Sequence, residues 1–118
     1  MLALLDDPAA TYRRVEFDAR VEGSDGAGLT RLCLERAIEA IAAARAARTR
    51  GVRAESLGQA ASALFALREG VAPDNPLRTA LVQFYGGART EVMACMVRFD
   101  GARLEAVGRD LSDILALL

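Results

Sequence analysis

The 118-residue chain has no histidine, no lysine and no tryptophan. Without histidine it lacks the commonest general base and the imidazole metal ligand, and no Ser-His or Cys-His nucleophilic pair can be assembled. Without lysine there is no amine to form an imine with a carbonyl substrate. A carboxylate-bridged di-metal centre in a helical protein needs Glu-x-x-His pairs. Here Glu35 is followed three residues later by Ile38, and Glu91 by Ala94. Glu35 and Glu39 share a helix face, but Arg31 lies four residues before Glu35, which reads as a solvated, ion-paired surface. Neither a phosphate-binding P-loop nor a dinucleotide fingerprint is present. These absences predict a protein that is not an enzyme and carries no metal or cofactor.

Other shortages narrow the class further. The two cysteines, Cys33 and Cys95, are far apart, lack C-x-x-C spacing and ride on apolar patterns, so both are expected as small, reduced core residues. No apolar run approaches the ~20 residues that span a bilayer. The short run Met1 to Leu5 passes directly into Asp6 and Asp7 without the basic start of a signal peptide, and the expected location is the cytoplasm. All 15 basic residues are Arg, against 16 acidic ones, for a formal net charge of -1. That balance gives no broad positive field for nucleic acid.

What the chain does have is alanine and leucine. The hydrophobic fraction is 53% with only 5% aromatics, a composition that favours helix over sheet. Glycine and proline divide it into five segments. Asp7-Pro8 opens a short first segment carrying Tyr12, Val15, Phe17 and Val21, expected either to lie across the rest or to stay mobile. After the glycine-rich stretch 23–28, a helix is predicted from about Leu29 to Arg50. In it Leu29, Leu32, Cys33, Ala37, Ala40, Ile41 and Ala44 recur at three- and four-residue spacing, and Leu34 and Ile38 widen the stripe. Gly51 is the predicted left-handed stop.

A third segment from about Ala54 to Glu69 should bury Leu57, Ala61, Leu64 and Leu67, with Gly70 at its end. The connector 71–76 holds Pro73, a candidate cap in Asn75, and Pro76 for the first helical position. A fourth helix carries Leu77, Leu81, Phe84, Val92, Cys95 and Phe99, interrupted by Gly86-Gly87. Asp100-Gly101 then makes a turn and a cap. The last helix lines up Leu104, Val107, Leu111, Ile114, Leu115 and Leu118. Long amphipathic helices with short connectors predict a single all-α domain over 1–118, an antiparallel up-down four-helix bundle from 29 to 118 preceded by the short N-terminal segment.

Three stretches taken in order resemble the FliS family of flagellar secretion chaperones. The family shows an early Tyr, then a small-residue lead-in to a long helix of the form L-x-x-x-L-Y-x-x-A-I. Here Tyr12 comes first, followed by Ser24-Asp25-Gly26-Ala27-Gly28 and then Leu29 through Ala37-Ile38. Leu81-Val82-Gln83-Phe84-Tyr85 is similar to the family's L-x-x-L-Y stretch, and Leu104 through Ile114 to its closing helix. The lead-in lacks the family's Ser-Pro, the Pro73–Pro76 connector replaces its Gly-Gly turn, and Gly87 stands where a second Tyr is usual. The likeness runs from about Ala10 to the C-terminus.

The resemblance implies a cytoplasmic chaperone that holds the disordered C-terminal segment of flagellin, prevents early polymerisation and aids delivery to the flagellar export apparatus. The client would lay amphipathic helices into apolar grooves. Tyr12, Leu34, Ile38, Val82, Tyr85, Met93 and Met96 are the expected partner-binding residues. The competing expectation is a helical dimerisation or regulatory module, with a second copy on the same stripes.

The first segment is too short to be stable as an isolated helix, and Tyr12 and Phe17 are the only aromatics before Phe65. It is therefore expected to dock on a bundle groove and compete with the client. Deleting residues 1–21 should leave the helical signal of the remainder intact while raising hydrophobic-dye binding, client affinity or self-association. A truncated chain that stays monomeric, dye-free and unchanged in client affinity would contradict this expectation.

Overall fold

The structure, a computed structural model, describes residues 26–118, and Tyr12 and the first segment lie outside the described residues. Four α-helices make up the architecture: α1 (Gly26–Ala46), α2 (Arg50–Glu69), α3 (Arg78–Val97) and α4 (Gly101–Ala116). Among the described residues there is no strand. Each helix packs on its neighbours around a ring, α1 on α2, α2 on α3, α3 on α4 and α4 back on α1. The α1–α2 seam is the most extensive and the α3–α4 seam the least. The start of α1, the end of α2, the start of α3 and the end of α4 gather at one end. This is an antiparallel up-down bundle.

The core follows the predicted stripes. Leu34, Leu57, Leu64, Leu104, Leu111 and Val92 are fully buried, among alanines at 37, 40 and 44 of α1 and 60, 61 and 63 of α2. Such small side chains let helix axes approach; on α4, Gly108 faces Ile41 of α1, where a Cβ would make an ordinary contact at 3.5 Å from Cγ2. Each buried leucine cut to alanine would cost about 2–5 kcal/mol. On α3 the buried aromatic is Tyr85, while Phe84 is only partly buried and meets it edge-on at 5.6 Å. Cys33 and Cys95 are both free and buried.

Two boundaries differ from the sequence reading. The first turn is residues 47–49, and Gly51 lies inside the first turn of α2. No described glycine has positive φ, so no left-handed stop is used. Thr49 sets the boundary instead: its Oγ1 accepts from Val52 N at 3.1 Å, a cap worth ~1 kcal/mol. Arg53 closes the other side of the turn, donating to the carbonyls of Ala44 and Ala47 at the end of α1, each at 3.1 Å. In the connector, Asn75 Oδ1 accepts from Leu77 N at 2.8 Å, and α3 starts at Arg78, leaving Pro76 just outside it. Asp100 caps α4 as expected, accepting from Arg103 N at 3.1 Å.

Gly86 and Gly87 do not break α3, which runs through both. A Cβ on Gly86 would sit 3.7 Å from Arg68 Cδ, an ordinary contact, and one on Gly87 would meet nothing within 4 Å. Neither glycine is required by packing within the chain, yet each costs up to ~1 kcal/mol relative to alanine. Gly87→Ala should therefore stabilise the free protein by about 0.5–1 kcal/mol. Urea unfolding reads this directly, and an unchanged or lowered midpoint would count against a continuous helix at this position.

Candidate partner-binding surface

An apolar recess lies where the four helices gather at one end. It is a cavity of about 480 Å³. Leu67 from α2, Leu81 and Tyr85 from α3, and Ile114 from α4 form its wall, with Val71 of the connector and Ala27 of α1 beside them. Its rim is also apolar: Leu77 is 62% and Leu117 85% exposed. The recess exists because the eight-residue connector between α2 and α3 does not draw those helices shut, as the three-residue turns at the opposite end do. Its size falls within the range of ligand and peptide pockets, roughly 300–1,000 Å³.

Two shallower recesses accompany it. One, of about 300 Å³, runs along the thin α3–α4 seam between Phe84, Gly87 and Ala88 on one side and Val107 and Asp110 on the other. The other, of about 350 Å³, sits at the opposite end beside Arg50, Arg53, Met96 and Phe99. On the α2–α3 side, Phe65 is flanked by the guanidinium groups of Arg68 and Arg89 at 5.5 and 5.6 Å.

The expected binding residues do not form one site. Leu34 is 0% exposed and belongs to the core, so it offers a partner no surface in this conformation. Ile38 is partly buried and packs against the same core. Tyr85 is 3% exposed, yet it lines the end cavity. Val82 is half-buried on α3. Met93 and Met96 are exposed, and Met96 borders the recess at the far end. Of the seven, only Tyr85 reaches the end cavity, and Tyr12 lies outside the described residues. Sequence reasoning missed Leu117, which continues past α4 off its buried stripe, and assigned Leu77 to the core stripe of α3.

Some of the charged groups form surface pairs. Glu105 accepts from both Arg45 of α1 and Arg109 one turn on, each at 3.1 Å, and Arg103 meets Glu91 of α3 at 2.8 Å. All are about half exposed and each is worth little, ~0–1 kcal/mol. Among the described residues, no group of three or more His, Cys, Asp or Glu side chains could hold a metal ion, and no helix is long and apolar enough to cross a membrane.

No protein-family model matches the chain, and it shows no significant similarity to a curated protein or a solved structure.

Tyr85 at the cavity wall and the buried Cys33 carry a pH consequence. Burial pushes the Tyr85 phenol up, and the neighbouring Cys33 thiolate adds to it; burial also pushes the Cys33 thiol up. The unfolded chain releases these protons near 9.0 for the thiol and 10.0 for the phenol, while the folded chain retains them to higher pH. Stability is then full at neutral pH and falls as pH rises through those unfolded values. The urea midpoint should drop above about pH 9, and Cys33→Ala should shallow the drop. A midpoint that stays level with pH in the parent chain would refute the assignment.

Proposed function

We propose that this protein is a non-enzymatic, cytoplasmic export chaperone that holds the disordered C-terminal segment of flagellin. The observation that carries the reading is the apolar cavity of about 480 Å³ at the open end of the bundle. A disordered client remains unfolded because it cannot bury its own apolar side chains, and it gains by folding against a surface that buries them. Leu67, Leu81, Tyr85 and Ile114 offer such a surface, and Leu77 and Leu117 extend it outward over the rim. Burial of a few large client side chains contributes about 1.5–3 kcal/mol each, from which the cost of ordering the client is subtracted. The order of the Leu29–Ile38, Leu81–Tyr85 and Leu104–Ile114 stretches, which resembles FliS proteins, supports flagellin as the client.

A second reading, self-association through the same rim, is favoured by the exposure of Leu77 and Leu117. In that case a second copy covers the cavity.

Co-expression with flagellin from the same genome should co-purify the two proteins. Leu117→Asp and Leu77→Asp, both at exposed positions, should leave the helical signal unchanged and weaken the complex at least tenfold, about 1.4 kcal/mol. Wild-type chain that retains no flagellin, or variants that retain it fully, would refute the chaperone reading. A wild-type dimer that Leu117→Asp converts to monomer would establish the second.

A further inference from the structure

The end of the bundle opposite the cavity carries a different surface. Helices of about 20 residues at 1.5 Å per residue separate the two ends by roughly 30 Å. Six arginines cluster here or just behind, and the structure sorts them into two groups. Arg53 is engaged with the carbonyls of Ala44 and Ala47 and stacks over Phe99 at 3.8 Å. Arg45 is paired with Glu105, and Arg103 with Glu91. Arg48, Arg50 and Arg98 remain: each is exposed, and its guanidinium has no hydrogen bond or ion pair among the described residues. The acidic residues at this end are few. Asp100 is occupied in capping α4, and Glu55 lies on the second turn of α2.

Large apolar side chains stand beside these free cations. Val97 is 92% exposed at the end of α3, and Val52, Met96 and Phe99 are each exposed by 40% or more. Met96, Val97 and Phe99 border the recess of about 350 Å³ together with Arg48 and Arg50. A solvated charged face has no need of an exposed Val-Met-Phe cluster, and a self-contained core would have covered it. Two unpaired guanidinium groups, Arg48 and Arg50, line a recess of mixed polarity that Met96, Val97 and Phe99 also border, with Arg98 next in the chain to Val97, and this mixture is complementary to carboxylates around an apolar side chain.

We infer that this end is a second docking surface, for an acidic polypeptide segment that inserts a large apolar side chain between Arg48, Arg50 and Val97. The thioether of Met96 adapts to the shape of the inserted side chain. The carboxylates flanking that side chain pair with Arg48, Arg50 and Arg98. The overall charge of -1 disfavours a polyanion that binds through a broad field, whereas a local cluster of three arginines suits a short acidic segment. This surface stands independently of the end cavity and of the client assigned to it.

The test uses the full chain and a short fluorescein-labelled peptide with Leu and Phe along one helical face and Glu along the other. Anisotropy should report binding at low ionic strength that weakens as salt rises, because the pairs at this surface are exposed to screening. Arg48→Glu combined with Arg50→Glu should weaken binding at least tenfold, and Val97→Asp similarly. All three positions are exposed, so circular dichroism should show unchanged helix. Leu117→Asp, at the other end, should keep the salt-sensitive binding that Arg48→Glu with Arg50→Glu removes, even where it has lost flagellin. Equal binding of a probe with Lys in place of Glu would overturn the inference. So would tighter binding of single-stranded DNA than of the acidic probe, burial of Val97 in a self-associated dimer, or no binding of the probe.

Discussion

The close approach of α1 and α2 is the constraint on which the rest of this molecule depends. Their seam is the most extensive in the bundle, and both helices bury alanines where larger side chains would hold the axes apart. Alanine buries little area per residue, so a core of this kind draws much of its stability from the few leucines that interlock between the close-set backbones. Leu34, Leu57 and Leu64 do this for α1 and α2, and Leu104 and Leu111 of α4 are fully buried where that helix packs on α1. Thr49 and Arg53 hold the turn between α1 and α2 so that their stripes meet in register. With that pair fixed, α3 and α4 pack outward from it, and the seam between them is the thinnest.

That inequality explains where recesses occur. A bundle tight on every seam would present no cavity and no groove. Here the loose connector leaves one end open, and the thin α3–α4 seam leaves a shallow channel past Gly87. The opposite end is closed by short turns and keeps a smaller recess of about 350 Å³, bordered by arginines and by projecting apolar side chains. The two ends thus offer different chemistry, an apolar hollow and a smaller recess edged with cations.

The fold was legible because it rests on periodicity. Leu57, Ala61, Leu64 and Leu67, or Leu104, Val107 and Leu111, announce their buried face by spacing alone. Boundaries were less legible where two signals competed. Gly51 suggested a stop, but the Thr49 hydroxyl and the Arg53 guanidinium decided the turn, and the second of these acts from beyond the turn in sequence. The surface was the least legible part. Whether Leu34 faces inward, or Tyr85 rather than Phe84 fills the core, depends on the rotation of one helix against another, to which a wide apolar stripe is blind. The separation of bound from free arginines likewise required knowing which carbonyls and carboxylates come within reach.

The ring of helix contacts has a kinetic side. Three of its four seams join helices adjacent in the chain, and only the α1–α4 seam joins distant ones. Neighbouring hairpins close over short loops and form quickly, whereas bringing α4 to α1 must overcome the closure entropy of the whole intervening chain. Gly108 against Ile41, Glu105 against Arg45, and Arg31 donating to the Leu118 carbonyl at 3.1 Å all lie on that late seam. Interactions that form after the folding transition state govern how fast a protein comes apart rather than how fast it assembles. Substitutions on the α1–α4 seam, at Leu104 and Leu111 above all, are thus expected to speed unfolding more than they slow folding, whereas those at Leu57 and Leu64 on the local α1–α2 seam should slow folding more.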